Sequence, residues 1–327
     1  MAISSDTPIP TLNSWLPASK LKPGDYVYGP DGLPKQIKVI QDYIPTKMYA
    51  VHLSDGVIVE GDQNLAFELE TFKYRLKLCD RKGVAAKWMK LRRKTVTDLV
   101  DEGLRAKMDP KRYEFSIPVA KPIQYKHEDF PVPPFIIGYW YAGQTRKSRI
   151  KCKPENLKAM QEKLKDYGYA GKISRNRWLN ITPDITKQLK LHYLDFPQTI
   201  PIAYFFGSVE QRLELLRGIM LTRATPYNVS EDYYMYKTRR KGFAVLLRGL
   251  LESLGVTNSM EYNKVSLTYG VRFRTNLDLL IERNKRGGVS RFGRRFVRKI
   301  EEIEPRHCVH IETDGTFLAG EGYIAIC

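Results

Sequence analysis

The stretch Phe130-Pro-Val-Pro-Pro-Phe-Ile-Ile-Gly-Tyr-Trp-Tyr-Ala-Gly-Gln-Thr145 decides the fold. It reads as a proline-stiffened linker running into a helix that is apolar on every side and stops at a small-residue pair. A helix without a polar face must be buried all round, so it belongs in a core or a helix–helix seam. Pro133 and Pro134 suit its entry, because proline at the first helical position lacks a donor that would have had no partner. Gly138 and the Ala142-Gly143 pair let a second backbone approach closely. Leu213-Glu-Leu-Leu-Arg-Gly-Ile-Met-Leu-Thr-Arg-Ala-Thr225 has the same look. Two such helices predict a pseudo-twofold arrangement built around their contact.

Length and charge set the frame. The 327 residues suffice for two domains or for one inserted into another, and 43% hydrophobic content supplies a sizeable core. Lys and Arg number 54 against 36 Asp and Glu, a net charge of +18. That excess argues for a polyanionic partner and says nothing about fold. The four cysteines, Cys79, Cys152, Cys308 and Cys327, lie far apart with no Cys-x-x-Cys pair. This spacing argues against a zinc module or a disulfide framework and for a reducing compartment. No basic-then-apolar leader and no run of eighteen apolar residues is seen, so the chain is expected to be soluble and not secreted. Its expected location is the cytoplasm, or in association with a virus or phage.

Taken in order, residues 1 to about 70 read as short strands, among them Ile37–Ile40 and Met48–Leu53. Gly29-Pro-Asp-Gly32 and Ser54-Asp-Gly56 are the turn signals between them. The cluster Lys87-Trp-Met-Lys-Leu-Arg-Arg-Lys94 either tracks a phosphate backbone or forms a solvated face. Thr95 to Gly103 reads as a short helix with a polar cap and a glycine stop. Phe115–Ala120 is strand-like, and Lys121 to Asp129 crosses into a second domain. Arg146 to Lys153 is a basic strand, Glu155 to Tyr167 an amphipathic helix, and Ile185 to Leu194 another short helix. Tyr227 to Lys237 reads as one strand, and Phe243 to Gly255 as a helix with a glycine cap. Val265–Tyr269 and Val271–Thr275 are expected to form a hairpin across Gly270, with Arg272 and Arg274 on one face. Arg283 to Lys299, the most basic stretch, reads as a glycine-rich return linker and a candidate phosphate arm.

The two apolar helices resemble the paired motifs of the LAGLIDADG homing endonucleases, in the variant carried inside inteins. Pro131, Pro133, Gly138 and Trp140 match the first motif, and Leu215-Leu-Arg-Gly-Ile-Met220 matches the second. Ser4-Ser-Asp-Thr7 and Trp15-Leu-Pro-Ala-Ser-Lys-Leu-Lys-Pro-Gly-Asp-Tyr-Val27 resemble the opening of the intein Hint fold, and Ile300 to Ile324 its closing blocks. The resemblance implies an α+β chain: an all-β Hint domain split by an inserted pseudo-twofold αββαββ endonuclease-like domain. The implied boundaries are 1–125 for the N-terminal Hint-like part with its basic insertion, 126–282 for the insert, and 283–327 for the basic linker and C-terminal part.

The departures concern chemistry. In the family each motif helix ends in an acidic residue, and the two carboxylates hold divalent metal at the scissile phosphates. Those positions fall here on Gly143 and Arg223, and Leu221 replaces an earlier Asp. Glycine and arginine offer no oxygen ligand to a hard cation. Ala2 stands where the splicing nucleophile should be, and alanine has nothing to attack with. The family's Thr-x-x-His block reads Gly61-Asp-Gln-Asn64, and Asn64 either donates a hydrogen bond or caps the turn at Gly61. The closing His-Asn is missing, with Cys327 on the His position in one alignment. His307 and His310 read as structural.

The expected function is that of an intein-derived, homing-endonuclease-like DNA-binding protein, inactive in splicing and in cleavage. Neither activity is assigned, because the matching catalytic positions are replaced. The alternatives are a magnesium-dependent homing endonuclease drawing on Glu210, Glu214 or Asp232, and a domesticated structural protein binding a protein partner or packaged nucleic acid. No cofactor is expected beyond magnesium in the active case. The resemblance implies double-stranded DNA as partner and a monomer with internal pseudo-twofold symmetry, with no role for a membrane. Its expected DNA contacts are Arg146, Lys147, Arg149, Lys151, Arg239, Arg240, Arg272, Arg274, Arg291, Arg294 and Arg295.

Overall fold

The structure is a computed structural model that describes residues 2–12, 14–78, 91–143, 147–151, 157–174, 178–192, 200–228, 233–275, 277–279 and 293–327. It is an α+β chain of two compact units. One comprises Met1–Gln124, Gly255–Ser259 and Arg291–Cys327; the other comprises Tyr125–Leu254 and Met260–Ser290.

The chain opens with strands β1 (Ala2–Ser4), β2 (Pro8–Pro10), β3 (Trp15–Pro17), β4 (Tyr26–Tyr28), β5 (Pro34–Tyr43), β6 (Met48–Leu53), β7 (Ile58–Asp62) and β8 (Ala66–Thr71). Helix α1 (Phe72–Leu78), strand β9 (Arg92–Thr95), helix α2 (Val96–Glu102), and strands β10 (Arg105–Ala106), β11 (Asp109–Tyr113) and β12 (Phe115–Pro118) follow. Next come α3 (Pro134–Ala142), β13 (Arg149–Lys151), α4 (Leu157–Asp166), β14 (Ala170–Ser174), β15 (Trp178–Thr182) and α5 (Ile185–His192). The next repeat holds α6 (Val209–Arg223), β16 (Ala224–Asn228), β17 (Tyr233–Thr238), α7 (Lys241–Ser253), β18 (Asn258–Asn263) and β19 (Thr268–Arg274). Strands β20 (Arg294–Ile303), β21 (Cys308–Thr313), β22 (Phe317–Ala319) and β23 (Ile324–Ile326) close the chain.

The first unit is built on a ten-stranded sheet in the order β4-β5-β21-β1-β7-β6-β20-β12-β8-β9. The chain's two ends interleave in it: β21 lies between β5 and β1, and β20 between β6 and β12. Ile3, Val51, Phe67, Phe115, Val297, Val309 and Ile326 meet in one buried cluster, so the apolar face is complete only when both ends are present. The turn residues act where the sequence placed them. Gly32 and Gly56 take φ of +80° and +87°, the left-handed region that glycine enters without strain, at the β4–β5 and β6–β7 turns. Helix α2 starts with a capping box, in which the Thr95 hydroxyl accepts from the Asp98 amide and the Asp98 carboxylate accepts from the Thr95 amide at 2.8 Å.

Three expectations need correction. Arg294 to Lys299 are not a linker arm: they belong to β20, inside the sheet, because their alternating pattern pairs with β6 and β12. Residues 283–292 of the basic stretch, Arg291 included, lie outside the described residues, as do the first four residues of the Lys87–Lys94 cluster, while Arg92 to Lys94 belong to β9. Gly270 is not a hairpin turn. It sits within β19 opposite Lys237, and β18 and β19 are joined by the turn at 264–267, where Asn263 Oδ1 accepts from the Val265 and Ser266 amides. Tyr227 to Lys237 is not one strand but parts of two, β16 and β17, paired antiparallel.

Candidate nucleic-acid interface

The second unit is organised by the α3–α6 contact. All residues from Phe135 to Ala142 are buried, as a helix without a polar face requires. A Cβ on Gly138 would lie 2.4 Å from the Leu215 carbonyl oxygen and 3.2 Å from the Ile219 amide. A Cβ on Gly218 would lie 2.1 Å from the Phe135 carbonyl oxygen and 2.8 Å from the Tyr139 amide. Each glycine therefore faces the residue three before and the residue one after its counterpart. This reciprocity is the signature of a local twofold axis between Gly138 and Gly218. The same axis pairs the fifth residue beyond each glycine, Gly143 with Arg223, at the carboxyl ends of the two helices. Gly143 caps α3 with its amide on the Tyr139 carbonyl, and Arg240 donates to the Tyr141 carbonyl at 2.9 Å. Among the described residues no group of three His, Cys, Asp or Glu is placed to hold a metal ion. The donor set at these helix ends does not fit the divalent metal that the resemblance implies.

Side chains of α3 hold the first sheet. The Tyr139 hydroxyl donates to the Lys151 carbonyl at 3.0 Å and the Trp140 indole to the Lys147 carbonyl at 2.7 Å. The three-stranded sheet runs β13-β15-β14, with Arg149 and Lys172 opposite Asn180 and with Lys151 and Ser174 opposite Trp178. By the two-residue alternation of strands, Arg149, Lys151, Lys172, Ser174, Trp178, Asn180 and Thr182 share one face, while Ile150, Leu179 and Ile181 are buried on the other. The Arg149 guanidinium stands 4.3 Å above the Trp178 ring and the Lys151 ammonium 5.9 Å from it. Lys147 is exposed beside them, and Arg146 lies outside the described residues.

The second sheet runs β16-β17-β19-β18. Its open face carries Tyr233, Met235 and Lys237 opposite Arg274, Arg272 and Gly270, while Tyr234, Tyr236, Val271 and Phe273 are buried on the other side. Arg274 lies over the Tyr233 ring at 5.0 Å, and Arg272 is ion-paired with Glu261. Arg239 is exposed, and Arg240 precedes the first turn of α7 without a side-chain capping bond, its guanidinium 4.6 Å from the Phe243 ring.

Two of the expected DNA contacts belong elsewhere. Arg295 is 1% exposed and ion-paired with Asp55, and Arg294 is paired with the buried Glu70. Both hold the first unit's sheet together and are spent on internal carboxylates.

The carboxylates proposed as substitute metal ligands are also engaged. Glu214 accepts from Tyr167 and Arg217, with Lys163 3.8 Å away. Glu210 lies in the first turn of α6, the end opposite Arg223, and bonds to Ser208 at 2.9 Å. Its own backbone amide and Ser208 hold its carboxyl below the usual range. Asp232 is outside the described residues.

In the first unit, Ala2 is buried on β1 opposite His310, and its amide donates to Asp62 Oδ1 at 3.0 Å. The Tyr43 hydroxyl donates to Asp62 Oδ2 at 2.7 Å, and the Asn64 amide reaches the same oxygen at 3.4 Å. Gly61 has a steric reason: a Cβ there would lie 2.4 Å from the Ala2 carbonyl oxygen, so this backbone excludes threonine. Buried Cys308 packs with Ala2 and Met48. Burial, with Asp62 nearby, pushes its thiol up to about 11, so it stays protonated at neutral pH and is a weak nucleophile. Cys327 is buried and its amide donates to the Ala66 carbonyl. Asp62 and Tyr43 were not singled out from the sequence. Asp62 stood inside the Gly61–Asn64 block, whereas Tyr43 carried no signal.

No family model matches the chain. A replicative DNA helicase DnaB of Mycobacterium intracellulare is 23% identical over 339 residues, a match covering 95% of this chain and 55% of the helicase, so the chain spans about half that relative's length. The zinc-bound Msm DnaB1 intein splicing domain is 30% identical, covers 21% of this chain and 56% of its own, and superposes with a TM-score of 0.21. The gp41-1 intein is 15% identical over 32% of this chain and 62% of its own, with a TM-score of 0.23. The homing endonuclease I-DmoI, in complex with DNA and Mn, is 11% identical over 46% of this chain and 92% of its own, with a TM-score of 0.32. No helix among the described residues is long and apolar enough to cross a membrane. The chain is similar to inteins and to a LAGLIDADG homing endonuclease, each over part of its length.

Proposed function

We propose that the chain binds duplex DNA through the open faces of its three- and four-stranded sheets and neither cleaves DNA nor splices protein. One observation carries the reading. The reciprocal packing at Gly138 and Gly218 makes Gly143 and Arg223 equivalent, so neither motif helix ends in a carboxylate. Two-metal hydrolysis requires such oxygen ligands beside the scissile phosphate. Cations, by contrast, are plentiful on the open faces, and Arg and Lys are the groups that release counterions from duplex DNA. At the splicing position Ala2 brings no nucleophile, and Asn64 is committed to Asp62.

The test is incubation with supercoiled and linear duplex DNA in magnesium and then in manganese, scoring retardation and nicking. Salt-sensitive retardation without nicking is the expected result. Nicking abolished by chelator would return the reading to a working nuclease. Absence of binding at low salt would favour the structural-partner reading.

A further inference from the structure

Among the described residues, the open faces of the two sheets differ in one charge. The open face of the first bears Arg149, Lys151 and Lys172 with no carboxylate among the residues that share it. The open face of the second bears Lys237, Arg272 and Arg274, and across them lies Glu261. Glu261 crosses from β18 over Gly270, where a Cβ would sit 3.6 Å from its Cγ and Oε1. Its carboxylate is ion-paired with Arg272 and its side chain is 46% exposed. An exposed carboxylate on a face that meets phosphates works against binding by repulsion, unless it is turned to a base edge.

Resting on the DNA-binding reading above, we propose that Glu261 and Arg272 form a base-reading pair, and that the first sheet supplies sequence-independent affinity. In the major groove a carboxylate accepts from the exocyclic amine of cytosine, and a guanidinium donates to O6 and N7 of guanine. The pair thus presents an acceptor and a donor set side by side, the complement of a C·G pair. An ionised carboxylate has about four lone-pair sites, so holding Arg272 leaves Glu261 capacity to accept from a base. Met235, directly opposite Arg272 on β17 and itself buried, lies beneath the pair as an apolar floor.

The test uses the full chain and a pool of linear duplexes with a randomised central segment, carried through repeated retardation and sequencing. The wild-type chain should enrich a C·G pair at one position or two adjacent ones, by roughly tenfold or more over other pairs. Glu261→Gln, which removes a charge from an exposed position, should lose that preference while binding the unselected pool at least as tightly. Arg272→Lys, which keeps charge but not the fork, should lose the same preference. An unchanged consensus in both variants overturns the assignment while leaving DNA binding intact, and so does a wild-type chain that binds without any consensus. A chain that retains no duplex at low salt overturns the DNA-binding reading itself.

Discussion

Gly218→Ala tests the helix crossing on which the twofold argument stands. In an isolated helix the change is favourable by about 1 kcal/mol, because glycine has more backbone freedom to lose. Here the new methyl would lie 2.1 Å from the Phe135 carbonyl oxygen and 2.8 Å from the Tyr139 amide, both backbone atoms of α3. Neither neighbour is a flexible side-chain end, so the helices must part by about 1 Å through a close-packed interior. Such overpacking costs about 1–3 kcal/mol, and a backbone contact this short belongs at the upper end. The expected net loss is about 2 kcal/mol, seen as a lower denaturant midpoint at unchanged slope. Gly138→Ala, with its 2.4 Å contact, should behave alike. Gly249→Ala is the control, since that residue of α7 has nothing within 4 Å of its added methyl and should gain the propensity term. A Gly218→Ala protein as stable as Gly249→Ala would refute the backbone crossing and, with it, the pairing of Gly143 with Arg223.

Three further outcomes are expected. Removing the α2 cap by Thr95→Ala should cost about 1 kcal/mol in denaturant titrations at neutral pH. The Thr95 amide and hydroxyl hold the Asp98 carboxyl below its ordinary range, so its contribution is present above the unfolded-state value and is lost as pH falls through the folded one. Asp98→Asn should therefore differ from the parent at neutral pH and converge with it in strong acid. Alanine at Arg149, Lys151 or Lys172 should each weaken duplex binding and lower the slope of log affinity against log salt by about one; an unaltered slope in all three would remove the first sheet from the interface. Arg295→Met strands the carboxylate of Asp55, which is 7% exposed, and should destabilise the fold by about 3–5 kcal/mol. Its duplex affinity, measured below the unfolding transition, should stay at the parent level, and a selective loss of affinity would restore Arg295 to the DNA-contact set.

Local chemistry was readable in the sequence wherever it is self-contained. The polar cap at the start of α2, the glycine turns at 29–32 and 54–56, the all-apolar α3 and the alternation of Val271, Arg272, Phe273 and Arg274 each depend on neighbours within a few residues. The hairpin assigned to Gly270 failed for the opposite reason. Glycine signals a turn only when no strand claims it, and here β17 and β18 both flank β19, which lets Glu261 lie across the small residue. The basic stretch ending at Lys299 failed for a related reason, since a charge density that reads as solvated is partly consumed by Asp55 and Glu70, residues more than two hundred positions away.

The sequence alone determined that a helix without a polar face, α3, must be buried, that glycine lies where it meets its partner, and that no acidic residue stands at the matched ends. These follow from residue type, which folding does not change. Tertiary structure decided which glycine faces which backbone atom, which arginines remain on an open face, and that Asp62 gathers the amide of Ala2, the hydroxyl of Tyr43 and the amide of Asn64. Those are pairings between distant segments. A charge or donor can be counted in a sequence, but the partner that satisfies it is fixed only when the chain closes on itself.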